Sequence, residues 1–318
     1  MTERLGPSDD LPSISYDGRK SMRTHARDFG ELCSSFQSIA IRTWHRMHNN
    51  LTTPISLRED GITAMNLQDL YNLHSSQVLI VDFSPYIESH RTSADWEWWF
   101  LQPHNYFGAA VQAKCLKSDN SYEIGYVPLN GYPQIRRLLD YSQKNALTPL
   151  YCFYNWWGTP PVMGYWPCGS FSYQDDLWGC SLSDGIVVYQ LYRQGKNGIG
   201  DIYPLTMPWH CIACCPEYHA GSLDRSGKGY ATRGASVAEV MREMIRSVPD
   251  SDDSAENYYP NFLWPRIVPE LPERIQVVRR LALAREPISP DRVSEYFGKF
   301  PPRYVVLQGS DEPTSREE

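Results

Sequence analysis

The sequence predicts an α/β fold: a core in the order helix, three-stranded meander, helix, strand, carrying an α+β C-terminal extension. Four stretches support this. Gln77–Tyr86 (QVLIVDFSPY) is an apolar run bounded by Ser and Pro, as in a buried strand. Ala94–Lys117 reads as a hairpin, with strands Asp95–Leu101 and Tyr106–Leu116 around the turn Gln102–Asn105. Pro133–Asn145 is an amphipathic helix with proline at its start, and Pro149–Trp156 follows as a β-rich apolar strand. A crossover through that helix returns the last strand parallel in the same sheet.

At 318 residues the chain holds one large domain or two modest ones, and 42% hydrophobic residues suffice for a packed core. The 24 prolines predict many irregular connections. A net charge of −7 argues against indiscriminate binding to nucleic acid, while leaving room for a local basic groove. No apolar run approaches the length of a membrane span, and no signal peptide opens the chain. The eight cysteines lack the density of a secreted scaffold, so an intracellular, cytoplasmic setting is expected.

In order, residues 1–25 read as a disordered leader. Residues 27–48 place Phe29, Leu32, Phe36, Ile39, Trp44 and Met47 at helical spacing. Ser56 followed by Glu59 is a capping-box pattern, so a second helix is expected from near Leu57. Residues 26–157 form the expected core. From 158 to 308 an extension packs on it. Gly185–Tyr192 is expected as a strand, Ser236–Val248 and Leu271–Arg285 as helices, Ser289–Phe297 as a short helix and Tyr304–Gln308 as a strand. Pro249–Asn257 reads as an acidic loop, and 309–318 as a disordered tail.

The hairpin also carries chemistry. Alternation puts Asp95 and Glu97 on one face, with Trp96, Trp98 and Phe100 on the other. Gln112 and Lys114 share a face on the second strand. In register, an acid, an amide oxygen and an ammonium lie side by side, as a hard cation and a phosphate require. Mg²⁺ or Mn²⁺ takes oxygen ligands, and a lysine beside it orients water or neutralises a developing oxyanion.

Asp95 followed by Gln112-Ala113-Lys114 resembles the D…(E/Q)xK signature of the PD-(D/E)xK nuclease superfamily, with VQAK closest to the Mrr-like restriction endonucleases. DWEWW, VQAK and PLYCFYN together also resemble the family of unknown function DUF6615. The nuclease resemblance covers roughly residues 56–156 and implies a restriction-endonuclease-like core acting on nucleic acid, DNA above all. It implies Asp95 as principal metal ligand, Glu59 as accessory ligand, Gln112 as carbonyl ligand or positioner, and Lys114 as catalytic cation. Glu97 joins the ligands if the strand runs on undistorted. It also implies a role in restriction or defence; a monomer and a homodimer both remain open.

Each of these residues also has a plainer reading. Glu59 serves equally as a helix cap, and Glu88 reads as a solvated loop residue. Arg136, Arg137 and Lys144 either touch phosphates or form a solvated helix face. Cys211 and Cys214 have CxxC spacing, which a structural zinc would use, but their apolar surroundings favour buried free thiols. A catalytically inactive binding protein on the same fold is the alternative function. A carbohydrate site using Asp95 and Glu97 ranks last, since acids at i and i+2 are adjacent rather than opposed.

Overall fold

A computed structural model describes residues 26–54, 56–83, 94–101, 106–128, 131–159, 172–212, 267–286, 288–298 and 301–309. The first half follows the expected order: α1 (Ala26–Thr52), α2 (Glu59–His74), β1 (Val78–Asp82), β2 (Trp96–Leu101), β3 (Tyr106–Cys115), α3 (Gln134–Lys144) and β4 (Thr148–Tyr154). There follow β5 (Cys180–Asp184), α4 (Gly185–Arg193), α5 (Ile199–Ile202), β6 (Met207–Pro208) and β7 (Ile267–Val268). The last described elements are α6 (Glu273–Leu283), α7 (Pro290–Phe297) and β8 (Tyr304–Gly309). The leader, the Gln102–Asn105 turn, Glu88, the Ser236–Val248 helix, the acidic loop and the tail after Gly309 lie outside the described residues.

The strands form one open mixed sheet in the order β1-β8-β2-β3-β4-β5-β6, with β7 pairing the start of β3. The β2–β3 hairpin is antiparallel, with Trp96 opposite Val111 and Leu101 opposite Tyr106. β4 lies parallel to β3 across the α3 connection, as expected.

The three-stranded meander is corrected. β8 inserts between β1 and β2, antiparallel to the first and parallel to the second. The reason is burial. Val305, Val306 and Leu307 are all buried, as a strand covered on both faces requires, whereas β1 is half-exposed along most of its length. The more apolar strand takes the interior place although it arrives last in the chain.

Two further expectations change. Gly185–Tyr192 is helix α4, not a strand. The Asp184 side chain accepts the N–H groups of Ile186 at 2.7 Å and Val187 at 3.3 Å, starting a helix despite three β-branched residues. α2 begins at Glu59 with Arg58 at its N-cap and no side-chain capping bond, so the Ser56 capping box is not formed.

Helices cover both faces. α1 and α2 lie on the face of Trp96, Trp98 and Phe100, where Phe36 stacks on Trp98 with ring centroids 5.6 Å apart. α1 approaches the turn before β5 so closely that a Cβ on Gly179 would lie 2.0 Å from the Ala40 carbonyl oxygen. α3 and α6 lie on the opposite face, where Tyr141 and Arg274 both reach Glu97. Trp98 Nε1 donates to Gln308 Oε1 at 3.0 Å, tying β2 to β8. No helix among the described residues is long and apolar enough to cross a membrane.

Candidate functional site

The site lies where β2 begins and β3 ends. One step before the Trp96–Val111 pair, Asp95 stands beside Gln112, and Lys114 follows two residues on, on the same face. Gln112 Nε2 donates to Asp95 Oδ2, and the Ala113 backbone N–H donates to the same oxygen at 2.7 Å. Gln112 Oε1 is buried and has no hydrogen-bond partner among the described residues.

Two helix starts close the arrangement. Lys114 Nζ donates to Gln134 Oε1, in the first turn of α3, at 2.8 Å. The same ammonium is 3.8 Å from Glu59 Oε1 in the first turn of α2. Glu59 and Lys114 line a cleft of about 430 Å³ shared with Arg58, Lys117 and Glu123. Asp95 is 6% exposed and does not line that cleft.

Burial pushes the Asp95 carboxyl up to about 6, against the opposing pull of the Ala113 N–H, Lys114 and Arg303. Arg303, just ahead of β8, also pairs with Asp60 at 3.2 Å. Gln134 and Arg303 were not identifiable from the sequence. Neither belongs to a motif, and only the packing of α3 and the insertion of β8 bring them to Asp95 and Lys114.

The structure thus gathers Asp95, Gln112, Lys114 and Glu59, and excludes Glu97. Glu97 is fully buried; both its oxygens lie 2.8 Å from Arg274 Nη1, Oε1 also accepts from the Tyr141 hydroxyl, and Oε2 accepts from Trp99 Nε1 at 2.8 Å. A carboxylate so saturated has no lone pair to offer a cation, so its expected ligand role is corrected. Gly108 makes room for this network: a Cβ there would lie 2.7 Å from the Trp99 ring.

The basic residues of α3 fare unevenly as phosphate contacts. Arg137 is buried, which removes it from the solvated face. Lys144 is exposed, but it ends the helix that Gln134 begins, about 15 Å along the axis from the site. Arg136, in the first turn of α3, is half-buried. Cys211 is buried, while Cys214 lies outside the described residues, so the zinc pair is not described as a whole. Cys115, Cys152 and Cys180 are free thiols. Cys33 is disulfide-bonded.

The donor set suits a hard divalent cation: a carboxylate, an unpaired amide oxygen and a second carboxylate lining the cleft are all oxygen. Among the described residues, no group of three or more His, Cys, Asp or Glu converges as a metal cage. A Mg²⁺ or Mn²⁺ ion held by Asp95 and Glu59, with Gln112 beside it, would therefore complete its shell with water.

The profile of a family of unknown function, DUF6615, matches residues 32–312. Neither the curated proteins nor the solved structures searched contain a match to the chain.

Proposed function

The chain belongs to the DUF6615 family, and from that premise we propose that it is a metal-dependent nuclease of PD-(D/E)xK type. It hydrolyses phosphodiester bonds of nucleic acid, DNA in the first instance, in restriction or defence. The observation that carries this reading is the convergence of Asp95, Gln112 and Lys114 on one sheet face with Glu59 opposite Lys114.

The residues take distinct parts. Asp95 and Glu59 would hold the cation, with Gln112 as carbonyl ligand or positioner. When bound, that ion supplies a nucleophile near neutral pH and charge stabilisation at phosphorus. Lys114, held by Gln134 and Glu59 on the cleft wall, orients the attacking water and neutralises charge on the phosphoryl oxygens. Arg58 and Lys117 line the same cleft and give the phosphate backbone two cations.

The test is cleavage of plasmid DNA and of a transcribed RNA with Mg²⁺ or Mn²⁺. Wild type is expected to cut DNA. Asp95→Asn and Lys114→Met should each lose about 10²-fold or more while melting cooperatively. Unchanged cleavage in both variants rejects the reading.

A second reading, a binding protein without catalysis, draws on one observation: Gln112, where related sites hold an acid, donates its amide to a carboxyl that burial keeps partly protonated. It predicts DNA retention in a gel shift with no cleavage, and no Asp95-dependent heat on Mn²⁺ titration.

A further inference from the structure

Resting on the metal reading above, we propose that Tyr151 belongs to the same site: its hydroxyl and Gln112 Oε1 together hold a water molecule of the divalent cation. Gln112 and Tyr151 are register partners on β3 and β4. Parallel neighbours project to the same face of a sheet, so both side chains rise from the face that carries Asp95 and Lys114. Tyr151 is fully buried, its ring stacked on Phe153 with centroids 5.7 Å apart and planes 18° from parallel. That stacking fixes where the hydroxyl points.

The Tyr151 hydroxyl has no hydrogen-bond partner among the described residues, and neither has Gln112 Oε1. A buried polar group left unpaired is costly, and phenylalanine would fill the same space without that cost. Two such atoms, from adjacent register positions beside one buried carboxyl, therefore point to a shared occupant. Their chemistry describes it. The amide oxygen only accepts, whereas the phenol can donate. A water answers both by donating to Gln112 Oε1 and accepting from Tyr151 Oη, and a second lone pair remains for a cation at Asp95.

The test is Mn²⁺ titration calorimetry on wild type, Tyr151→Phe and Asp95→Asn, with melting curves recorded in EDTA. Tyr151→Phe should melt at or above the wild-type temperature without metal, yet bind Mn²⁺ about tenfold more weakly. Asp95→Asn should lose binding. If Tyr151→Phe binds as wild type while Asp95→Asn does not bind, the Tyr151 assignment is overturned and the metal reading stands. If wild type takes up no Mn²⁺, or Asp95→Asn binds it equally well, the metal reading itself fails and Tyr151 goes with it. Should Tyr151→Phe not fold, a crystal of the wild type grown with Mn²⁺ decides. An ordered water within hydrogen-bond distance of both Tyr151 Oη and Gln112 Oε1 upholds the assignment. Its absence from an Mn²⁺-loaded site overturns it.

Discussion

Asp95 gives up its proton only near neutrality, because burial pushes it to about 6 from an ordinary 3.8. Between those values the folded chain binds more protons than the unfolded chain, so stability falls as pH rises through the window. The total change is on the order of 3 kcal/mol. Melting curves of metal-free wild type and Asp95→Asn at pH 4 to 8 should therefore diverge, with the variant relatively more stable above pH 6. A cation requires the ionised form, so Mn²⁺ affinity should climb from pH 5 to pH 7 and then level. Affinity independent of pH across that range would show that the ion does not bind Asp95. The residue pattern D…QxK was legible in the chain because side chains alternate strictly along strands. The bond from Gln112 to Asp95 was not, since it depends on how far each strand slides past the other.

At the scale of elements, α4 shows how a single cap overrides a strand-like composition. Ile186, Val187 and Val188 suit a strand, and Asp184-Gly185 before them was the overlooked helix signal. Asp184→Ala should destabilise by about 1 kcal/mol through loss of the cap. Burial also pushes Asp184 up to about 6, so Asp184→Asn, which keeps the cap without the charge, should be neutral or stabilising at pH 7. Urea denaturation of both variants checks this. α6 is tied to β2 by the Arg274–Glu97 ion pair, which no local pattern announced because 177 residues separate the partners. Arg274→Ala strands a fully buried carboxylate and should cost about 3–5 kcal/mol, whereas Arg274→Met with Glu97→Gln should recover most of it. A loss under about 1 kcal/mol in the single variant would show the pair to be dispensable.

For the whole molecule, the decisive feature is β8 between β1 and β2. A core ending near residue 157 lacks the strand that joins its first two, together with the β5 partner of β4. A fragment of residues 26–157 is expected to show no cooperative thermal transition and a flat near-ultraviolet dichroism spectrum, while the full chain melts as one unit. A fragment that melts sharply would support the division into core and extension. Trp98 offers a local check, because its indole donates to Gln308 on β8. Truncation before residue 301 should therefore perturb tryptophan fluorescence.

Local chemistry decided much from the chain alone: the alternation of the hairpin, which sets Gln112 and Lys114 on one face, the apolar face of α3, and the cap of α7 by Ser289. These follow from periodicities of two and 3.6 residues, which act over a few neighbours at a time. Folding in three dimensions settled what such periods cannot carry: which strand sits between β1 and β2, which carboxylate is spent on an arginine, and which buried oxygens are left unpaired. Each depends on partners far apart in the chain competing for the same edge or the same donor, and that competition is resolved only when the sheet closes.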